Sequence, residues 1–185
     1  DNFKIIYVAP MKALAAEMTA SFASRLKPLR LKVRELTGDM QLTKREIEET
    51  QVIVTTPEKW DVITRKSNDN AMTELVKLLI IDEVHLLNED RGSVIECIVA
   101  RTLRQVEQTQ SLIRIVGLSA TLPNFRDVSD FLKVNTETGL FFFNDAYRPV
   151  PMSQYFVGVK SKHQLDQKNA MNEVCYEKVV ATLKQ

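Results

Sequence analysis

The sequence predicts an α/β fold built on a doubly wound, mainly parallel sheet. Two observations support this prediction: short aliphatic or aromatic runs recur along the chain, and segments with helical spacing of apolar residues lie between them. Strands that alternate with helices in this way form parallel sheets with helices on both faces. The length of 185 residues suits one compact domain and part of a second.

The predicted strands are runs of β-branched, aliphatic or aromatic residues. The run that ends at Asp82 is continuously aliphatic, which is typical of a strand buried on both faces. The full set of predicted strands comprises residues 3–9, 31–36, 51–56, 77–82, 113–119 and 139–143.

Three longer segments have the periodicity of helices. Apolar residues recur every four positions over residues 14–26, and one apolar face runs from Gly92 to Gln108. A further helix is expected over residues 165–183. These segments would cover the predicted sheet or lead away from it.

Helix-start signals mark three more elements. Thr43 and Glu46 have the spacing of a capping box, and Pro57 suits the first position of a helix. Asn124 precedes a segment with Asp127 in its first turn. Trp60, inside the helix predicted from Pro57, is expected to pack in the core.

Domain organisation follows from a break in the alternation. Residues 144–156 contain Pro149 and Pro151, which favour extended backbone, and they are expected to form a strap leaving the domain. We therefore assign residues 1–160 to a partial first domain. Residues 161–185 are assigned to a linker and the first helix of a second domain.

Composition excludes several classes of protein. The chain is 44% hydrophobic and 26% charged, which argues against a disordered chain, and its net charge of +1 argues against a polybasic tail. Cys97 and Cys175 are too few for a disulfide framework, which favours an intracellular compartment. No apolar run approaches the roughly 18 residues of a membrane span.

The stretch LLIIDEVHLL carries the clearest chemistry. Ligand sites in open α/β sheets lie beyond the carboxyl ends of strands, and Asp82 and Glu83 follow such a strand directly. An aspartate there can hold Mg²⁺ and an adjacent glutamate can activate water. Ser119 and Thr121 follow another strand, and their hydroxyls could reach His85 if the two strands are neighbours.

Three other interpretations of these residues are possible. Asp82 could simply begin a turn after the strand. Ser119, His85 and Asp82 could form a hydrolase triad, but no G-x-S-x-G motif surrounds Ser119. His85 could bind zinc, but zinc requires three or four ligands and neither cysteine is nearby in sequence.

Three other predicted strands end in turns suited to phosphate. Residues 8–14, 36–39 and 54–61 offer hydroxyls, backbone N–H groups or a lysine at the start of a helix. Such groups would contact a phosphate backbone without recognising bases. Each turn alone is ordinary, so their joint presence carries the prediction.

Taken together, these motifs resemble a known family. In chain order, APMKAL, TGD, TTPEKWD, DEVH, SAT and RPVP resemble motifs Ia to III and the exit strap of the Ski-like DExH helicases of superfamily two. The resemblance implies a RecA-like helicase domain, incomplete at its N-terminus. It also implies an ATP-driven motor that uses Mg²⁺, moves 3′ to 5′ along single-stranded DNA or RNA, and unwinds duplexes.

The resemblance implies a role for each matching residue. Asp82 would hold Mg²⁺, through water, and Glu83 would be the catalytic base; both would face ATP. His85, Ser119 and Thr121 would couple hydrolysis to strand movement. The nucleic-acid strand would lie over Pro10, Met11, Lys12, Thr37, Gly38, Thr56, Pro57 and Glu58.

Within that family, the stretches YVAPMKALAAEM and ELTGDMQLTKREI are most similar to the first helicase cassette of one member. That likeness implies a second RecA-like domain and the rest of the cassette as partners in the same protein, together with subunits of that member's complex. It further implies roles in DNA alkylation repair and stalled-ribosome clearance, in the nucleus and cytoplasm.

One departure from the family pattern bears on activity. The sequence contains no G-x-x-x-x-G-K-[ST] loop to hold the β- and γ-phosphates. We therefore expect a helicase fragment that does not hydrolyse ATP by itself. Two alternatives stay open: a catalytically silent docking module, and an ATP-driven translocase that does not separate strands.

Overall fold

The computed structural model describes residues 3–38, 40–65 and 70–183. Asp39, in the predicted turn over residues 36–39, lies outside the described residues. The chain divides into two compact units, Asp1–Phe142 and Phe143–Gln185. The predicted domain boundary after residue 160 stays a prediction.

The first unit contains a five-stranded sheet in which every neighbouring pair is parallel. This confirms the predicted parallel α/β architecture. Because the strands are parallel, their carboxyl ends meet at one edge of the sheet. The strands are β1 (Lys4–Val8), β2 (Val33–Leu36), β3 (Val52–Thr55), β4 (Val76–Ile81) and β5 (Arg114–Gly117), in the order β2-β3-β1-β4-β5.

Helices connect these strands at the predicted positions. The capping box at Thr43 is present, because its hydroxyl accepts from the Glu46 N–H and the Glu46 carboxylate accepts from the Thr43 N–H. The helices of this unit are α1 (Lys12–Leu26), α2 (Lys44–Glu49), α3 (Pro57–Arg65), α4 (Asn70–Glu74), α5 (Gly92–Thr109) and α6 (Phe125–Phe131). The short α4 was not predicted from the sequence.

Apolar side chains cover both faces of the sheet. Alternate residues of β1 point to opposite faces: Ile6 lies in the larger apolar cluster with residues of α3 and α5, whereas Tyr7 packs with residues of α1. Trp60 is 2% exposed in the larger cluster, which confirms the prediction that it packs in the core. The helices therefore sandwich the sheet, as a doubly wound fold requires.

A buried lysine lies at the amino end of the sheet. Lys4, 1% exposed, donates from Nζ to the carbonyls of Ile47, Glu48 and Thr50 at 2.5, 3.1 and 2.5 Å. These carbonyls lie at the C-terminal end of α2, where a helix leaves acceptors unpaired. Burial lowers the pKa of Lys4.

The strand predicted over residues 139–143 is wrong. Gly139 lies in a turn, residues 140–143 have no regular structure, and Phe141 is 72% exposed. An aromatic run has the composition of a strand but forms one only against a neighbouring strand. Its rings make side-chain contacts instead, as between Phe142 and Phe125 at a centroid distance of 5.0 Å.

The described part of the second unit contains one short 3₁₀ turn and one long helix. A turn of 3₁₀ helix spans Asp145–Tyr147, and the segment around the two prolines has no regular structure. The predicted helix near its end is confirmed as α7 (Gln164–Leu183). None of the helices in the described residues has both the length and the apolar character needed to cross a bilayer.

Candidate functional site

The acid turn, residues 82–88, follows β4 at the carboxyl edge of the sheet. It is held by both neighbouring strands: the Asp82 N–H donates to the Val8 carbonyl at 3.0 Å, and the Val84 N–H donates to the Leu118 carbonyl at 2.8 Å. Glu83 has a left-handed backbone with φ of 52°, and a 3₁₀ turn over Val84–Asn88 follows. Such a conformation is costly outside glycine and often occurs at functional turns.

Both carboxylate oxygens of Asp82 accept hydrogen bonds. The Tyr7 hydroxyl donates to Oδ2 at 2.6 Å, and the Glu83 N–H donates to Oδ1 at 3.0 Å. The Tyr7 ring is 4% exposed and packs edge-on against Phe22 at 5.1 Å. Two fixed donors and a fixed ring therefore orient the Asp82 carboxylate.

Tyr7 was not predicted as a site residue. Burial, followed by the hydrogen bond to Asp82 and the charge of that carboxylate, raises the pKa of the Tyr7 phenol, so the hydroxyl stays a donor at neutral pH. One signal was present in the sequence: Tyr7 is the only hydroxyl-bearing residue in the β1 segment KIIYV. The pairing of β1 with β4 then brings it to Asp82.

His85 faces two groups through one nitrogen. Its Nδ1 lies 3.2 Å from the Ala120 backbone nitrogen and 3.2 Å from Glu83 Oε2. A neutral Nδ1 can accept from the Ala120 N–H, whereas a protonated Nδ1 can donate to Glu83. A single nitrogen cannot accept from Ala120 and donate to Glu83 at the same time, so the presence or absence of a proton on Nδ1 determines which hydrogen bond forms.

The turn after β5 approaches His85 through its backbone. The strands β4 and β5 are parallel neighbours, which is the condition under which Ser119 and Thr121 could reach His85. However, the Ser119 hydroxyl donates to the Ala120 carbonyl at 2.7 Å, and the Ala120 N–H makes the contact with His85. Ser119 and Thr121 are both exposed at this edge.

The three turns proposed for phosphate contact follow β1, β2 and β3, which are adjacent in the sheet. Their residues differ in exposure. Met11, Lys12 and Gly38 are exposed, and Glu58 is half-buried. The buried members of the predicted set are Pro10, Thr37, Thr56 and Pro57.

The first two of these turns meet through a lysine and a glycine. A Cβ atom added at Gly38 would lie 3.7 Å from Lys12 Cε and 3.9 Å from Nζ, so the lysine stem passes close to the glycine backbone. The Thr37 hydroxyl is directed inward, 2.7 Å from Glu35 Oε1. Lys12 and the backbone at Gly38 are therefore exposed, whereas the Thr37 hydroxyl is not.

Arg91 connects the first and third turns and was not predicted from the sequence. Its Nε donates to Glu58 Oε1 at 2.6 Å, and its Nη1 donates to the Pro10 carbonyl at 2.7 Å. Pro10 is 81 residues away in sequence and Glu58 is 33. Such distant partners leave no local pattern in the sequence.

The acid turn fits a water-mediated magnesium ion better than a directly chelated metal. Within residues 3–38, 40–65 and 70–183, no three His, Cys, Asp or Glu side chains converge on one point. Mg²⁺ commonly keeps several waters and takes one or two carboxylates together with substrate phosphates. Asp82, with Glu83 beside it, matches that ligand set.

Sequence comparisons identify related proteins. The family model described as DEAD/DEAH box helicase matches residues 1–131. The DExH-box ATP-dependent RNA helicase DExH14 of Arabidopsis thaliana is 66% identical over the whole chain, which covers 9% of that relative. Activating signal cointegrator 1 complex subunit 3 is 66% identical in Gallus gallus and 64% in Homo sapiens; 97% and 100% of this chain match 8% of each relative.

Structural comparisons agree on the fold. The DUF1998 helicase MrfA bound to DNA superposes with a TM-score of 0.61 at 19% identity, covering 71% of this chain and 19% of MrfA. The Mycobacterium smegmatis helicase Lhr bound to ssDNA and AMP-PNP has a TM-score of 0.55 at 24% identity, covering 71% of this chain and 19% of Lhr. These likenesses confirm the RecA-like fold.

The resemblance drawn from the sequence is also confirmed. The family member singled out by YVAPMKALAAEM and ELTGDMQLTKREI is activating signal cointegrator 1 complex subunit 3, and its curated versions match at about 65% identity over nearly all of this chain. The match is consistent with a fragment of the first helicase cassette. The chain spans 8% to 12% of the length of these relatives.

Proposed function

This chain belongs to the DEAD/DEAH box helicase family, and we propose that it forms part of an ATP-dependent helicase that unwinds DNA or RNA. One observation supports this most strongly. The acid pair after β4 lies beside the exposed turn after β5, and His85 contacts that turn through the Ala120 N–H. The acid pair and the turn after β5 are thereby linked at one edge of the sheet, as coupling of ATP hydrolysis to movement of a second segment would require.

Asp82 and Glu83 have different roles in this proposal. Asp82, held at both oxygens, would hold a magnesium ion through water. When bound, Mg²⁺ would neutralise charge on the phosphate oxygens of ATP. The Glu83 side chain is 44% exposed, so its carboxylate can accept a proton from the attacking water.

His85 is proposed to couple hydrolysis to strand movement. Its Nδ1 is placed between the Glu83 carboxylate and the Ala120 N–H. A change of charge at Glu83 alters which of these partners Nδ1 favours. The turn carrying Ser119 and Thr121 would respond to that change.

The nucleic-acid strand would lie over the turns after β1, β2 and β3. Lys12 supplies positive charge, and its stem passes the exposed backbone at Gly38, so both groups would face the phosphates of the bound strand. The buried Pro10, Thr37, Thr56 and Pro57 would shape the backbone of these turns. Contacts of this kind bind phosphate without selecting bases, and we propose movement from 3′ to 5′ along the bound strand.

The wider role is proposed from the resemblance of the chain to activating signal cointegrator 1 complex subunit 3. We propose roles in DNA alkylation repair and stalled-ribosome clearance, in the nucleus and cytoplasm. Its partners would be a second RecA-like domain and the remaining cassette in the same protein, with other subunits of that complex. Residues 161–185 would lead into the second domain.

ATP turnover by the complete helicase, with and without single-stranded nucleic acid, tests this proposal. Glu83→Gln should lower stimulated turnover by about a hundredfold or more, because a positioned general base contributes roughly that much. The substitution preserves size, so the melting temperature should not change. The 185-residue chain alone, which has no phosphate-binding glycine loop, should not hydrolyse ATP.

Two other results would favour the remaining alternatives. Stimulated turnover without strand separation in a duplex-unwinding assay would indicate a translocase. No turnover by a folded, complete helicase would indicate a docking module whose DEVH motif is only a strand end. Turnover by the short chain alone, lost in Glu83→Gln, would contradict the proposed dependence on a glycine loop.

A further inference from the structure

Arg91 binds two turns of the proposed nucleic-acid surface at once. Its Nε and Nη2 contact Glu58 Oε1 at 2.6 and 2.5 Å, and its Nη1 donates to the Pro10 carbonyl at 2.7 Å. All three guanidinium nitrogens are therefore engaged within the protein. A planar guanidinium suits this task because it can direct several donors along fixed directions.

The backbone around Arg91 is fixed by close packing. Arg91 is the N-cap of α5, and Gly92 follows it. A Cβ atom at Gly92 would lie 1.9 Å from the Leu87 carbonyl oxygen, so the start of α5 lies directly against the acid turn. Arg91 thus extends from a fixed point beside residues 82–88 to the turns after β1 and β3.

Glu58 presents an electrostatic difficulty that Arg91 resolves. The side chain of Glu58 is 45% exposed, among residues proposed to face phosphates. An unpaired carboxylate there would repel a phosphodiester backbone. Arg91 neutralises it, and the same guanidinium ties that carboxylate to the Pro10 turn.

We propose that Arg91 is a positioning residue for nucleic-acid binding: it neutralises Glu58 and sets the spacing of the turns after β1 and β3. This inference rests on the proposed function, because it requires those turns to bind a phosphate backbone. Arg91 acts through Glu58 and Pro10. It does not itself contact the nucleic acid.

A double-mutant cycle in the complete helicase tests the inference. The measurement is fluorescence anisotropy with a labelled, mixed-sequence single-stranded oligonucleotide. Arg91→Met should weaken binding roughly tenfold, since an uncompensated charge near phosphates costs on the order of one power of ten in affinity. Glu58→Gln completes the cycle, and the double variant should return to within about threefold of wild type, because the repelling charge is gone.

Two controls separate positioning from general damage. Arg45→Met removes an exposed ion pair with Glu49 on α2 and should bind like wild type. In the Arg91→Met protein, the KM for ATP should stay unchanged, whereas the oligonucleotide concentration giving half-maximal ATPase stimulation should rise by the same factor as the dissociation constant. If Arg91→Met lowers the melting temperature, Arg91→Lys is measured in its place. Its affinity for the oligonucleotide should fall about threefold, because one ammonium group cannot reproduce the several fixed donors of the guanidinium.

The outcomes distinguish this inference from the proposed function. A double variant as weak as Arg91→Met would show that the loss of binding does not come from an uncompensated Glu58 charge and would overturn the inference. Wild-type binding by both Arg91→Met and Arg91→Lys would overturn it too, with the proposed function intact. A wild-type helicase that binds no single-stranded oligonucleotide would refute the proposed function, and this inference with it.

Discussion

Lys4 and Arg91 each tie one end of β1 to distant groups, but their surroundings differ. At the amino end, Lys4 is 1% exposed and donates only to backbone carbonyls of residues 47–50. Beyond the carboxyl end, the Arg91 side chain is 45% exposed and shares its donors between the Pro10 carbonyl and the Glu58 carboxylate. The buried cation completes a helix end, whereas the exposed cation adjusts the charge of a surface.

The difference shows where to look for function in such a sheet. Charges at the amino edge can be buried because they have only structural partners to satisfy. Charges at the carboxyl edge, such as Glu83, stay partly exposed, as the proposed ligand site at that edge requires. Substitutions at the two edges should therefore separate stability from activity.

The largest effect that would sharpen this comparison is expected at Lys4. Lys4→Met should remove the lysine donor from the Thr50 carbonyl and leave the Ile47 carbonyl with only the Thr50 N–H, which costs about 2 kcal/mol locally. Hydrogen exchange of the α2 amides in the complete helicase, followed by mass spectrometry, should then be roughly thirtyfold faster. ATP turnover at saturating substrate should stay near wild type.

Lys77→Met is the matched control for Lys4. Lys77 is exposed on β4 and donates to the Ser111 hydroxyl at 2.7 Å. Its removal should leave α2 exchange unchanged. Equal exchange rates in the wild-type and Lys4→Met proteins would show that these carbonyls do not depend on the lysine.

A smaller effect is expected at Tyr7, on the functional edge. Tyr7→Phe keeps the ring against Phe22 and removes the hydroxyl that donates to Asp82 Oδ2. The magnesium concentration for half-maximal ATP turnover should rise about tenfold, because groups that orient a metal-binding carboxylate contribute on that scale. The maximal rate at saturating magnesium should change little.

Tyr155→Phe serves as the control for this change. Tyr155 is 87% exposed, so loss of its hydroxyl should leave the magnesium dependence unaltered. An unaltered dependence in Tyr7→Phe as well would mean that the Glu83 N–H alone orients Asp82. A fall in the melting temperature with no magnesium effect would make Tyr7 a purely structural residue.

The smallest effect concerns the capping box at the start of α2. The backbone N–H and hydroxyl of Thr43 lower the pKa of Glu46, with a smaller contribution from Arg34. Because folding lowers the pKa of Glu46, this carboxylate stabilises the folded state at pH values above its ordinary pKa of 4.5. The contribution is lost as the pH falls through the lowered pKa of the folded state. Exchange at α2 should therefore accelerate in acid.

Glu46→Gln should weaken that acid dependence, because the amide cannot titrate over this range. Thr43→Ala, which removes the hydroxyl from the same box, should weaken it too. The measurement is hydrogen exchange of α2 at a series of pH values, corrected for intrinsic rates. An acid dependence retained in both variants would place its origin outside the capping box.

Much of the fold could be predicted from local patterns. The capping box at Thr43, the first-turn proline at Pro57 and the apolar face after Gly92 each predicted a helix that the structure contains. The error over residues 139–143 has the opposite cause, because strand composition specifies no partner strand. Local signals succeed where a helix satisfies its own backbone and fail where a strand must pair elsewhere.

The site divides in the same way. Asp82, Glu83 and His85 could be singled out because they follow an aliphatic strand at its carboxyl end. Tyr7 and Arg91 could not, because their partners lie 75 and up to 81 residues away. The Ala120 contact with His85 was missed for another reason. It is made by a backbone N–H, which every residue except proline has, so the residue type gives no signal.

The sequence by itself determined the family, the parallel α/β architecture and the chemical groups at the strand ends. Those features depend on hydrophobic periodicity, capping and turn residues, which act within a few positions. Only the tertiary structure decided that Tyr7 holds Asp82, that Ala120 contacts His85 and that Arg91 joins two turns. The order of strands in the sheet sets these contacts, and strand order depends on packing across the whole domain.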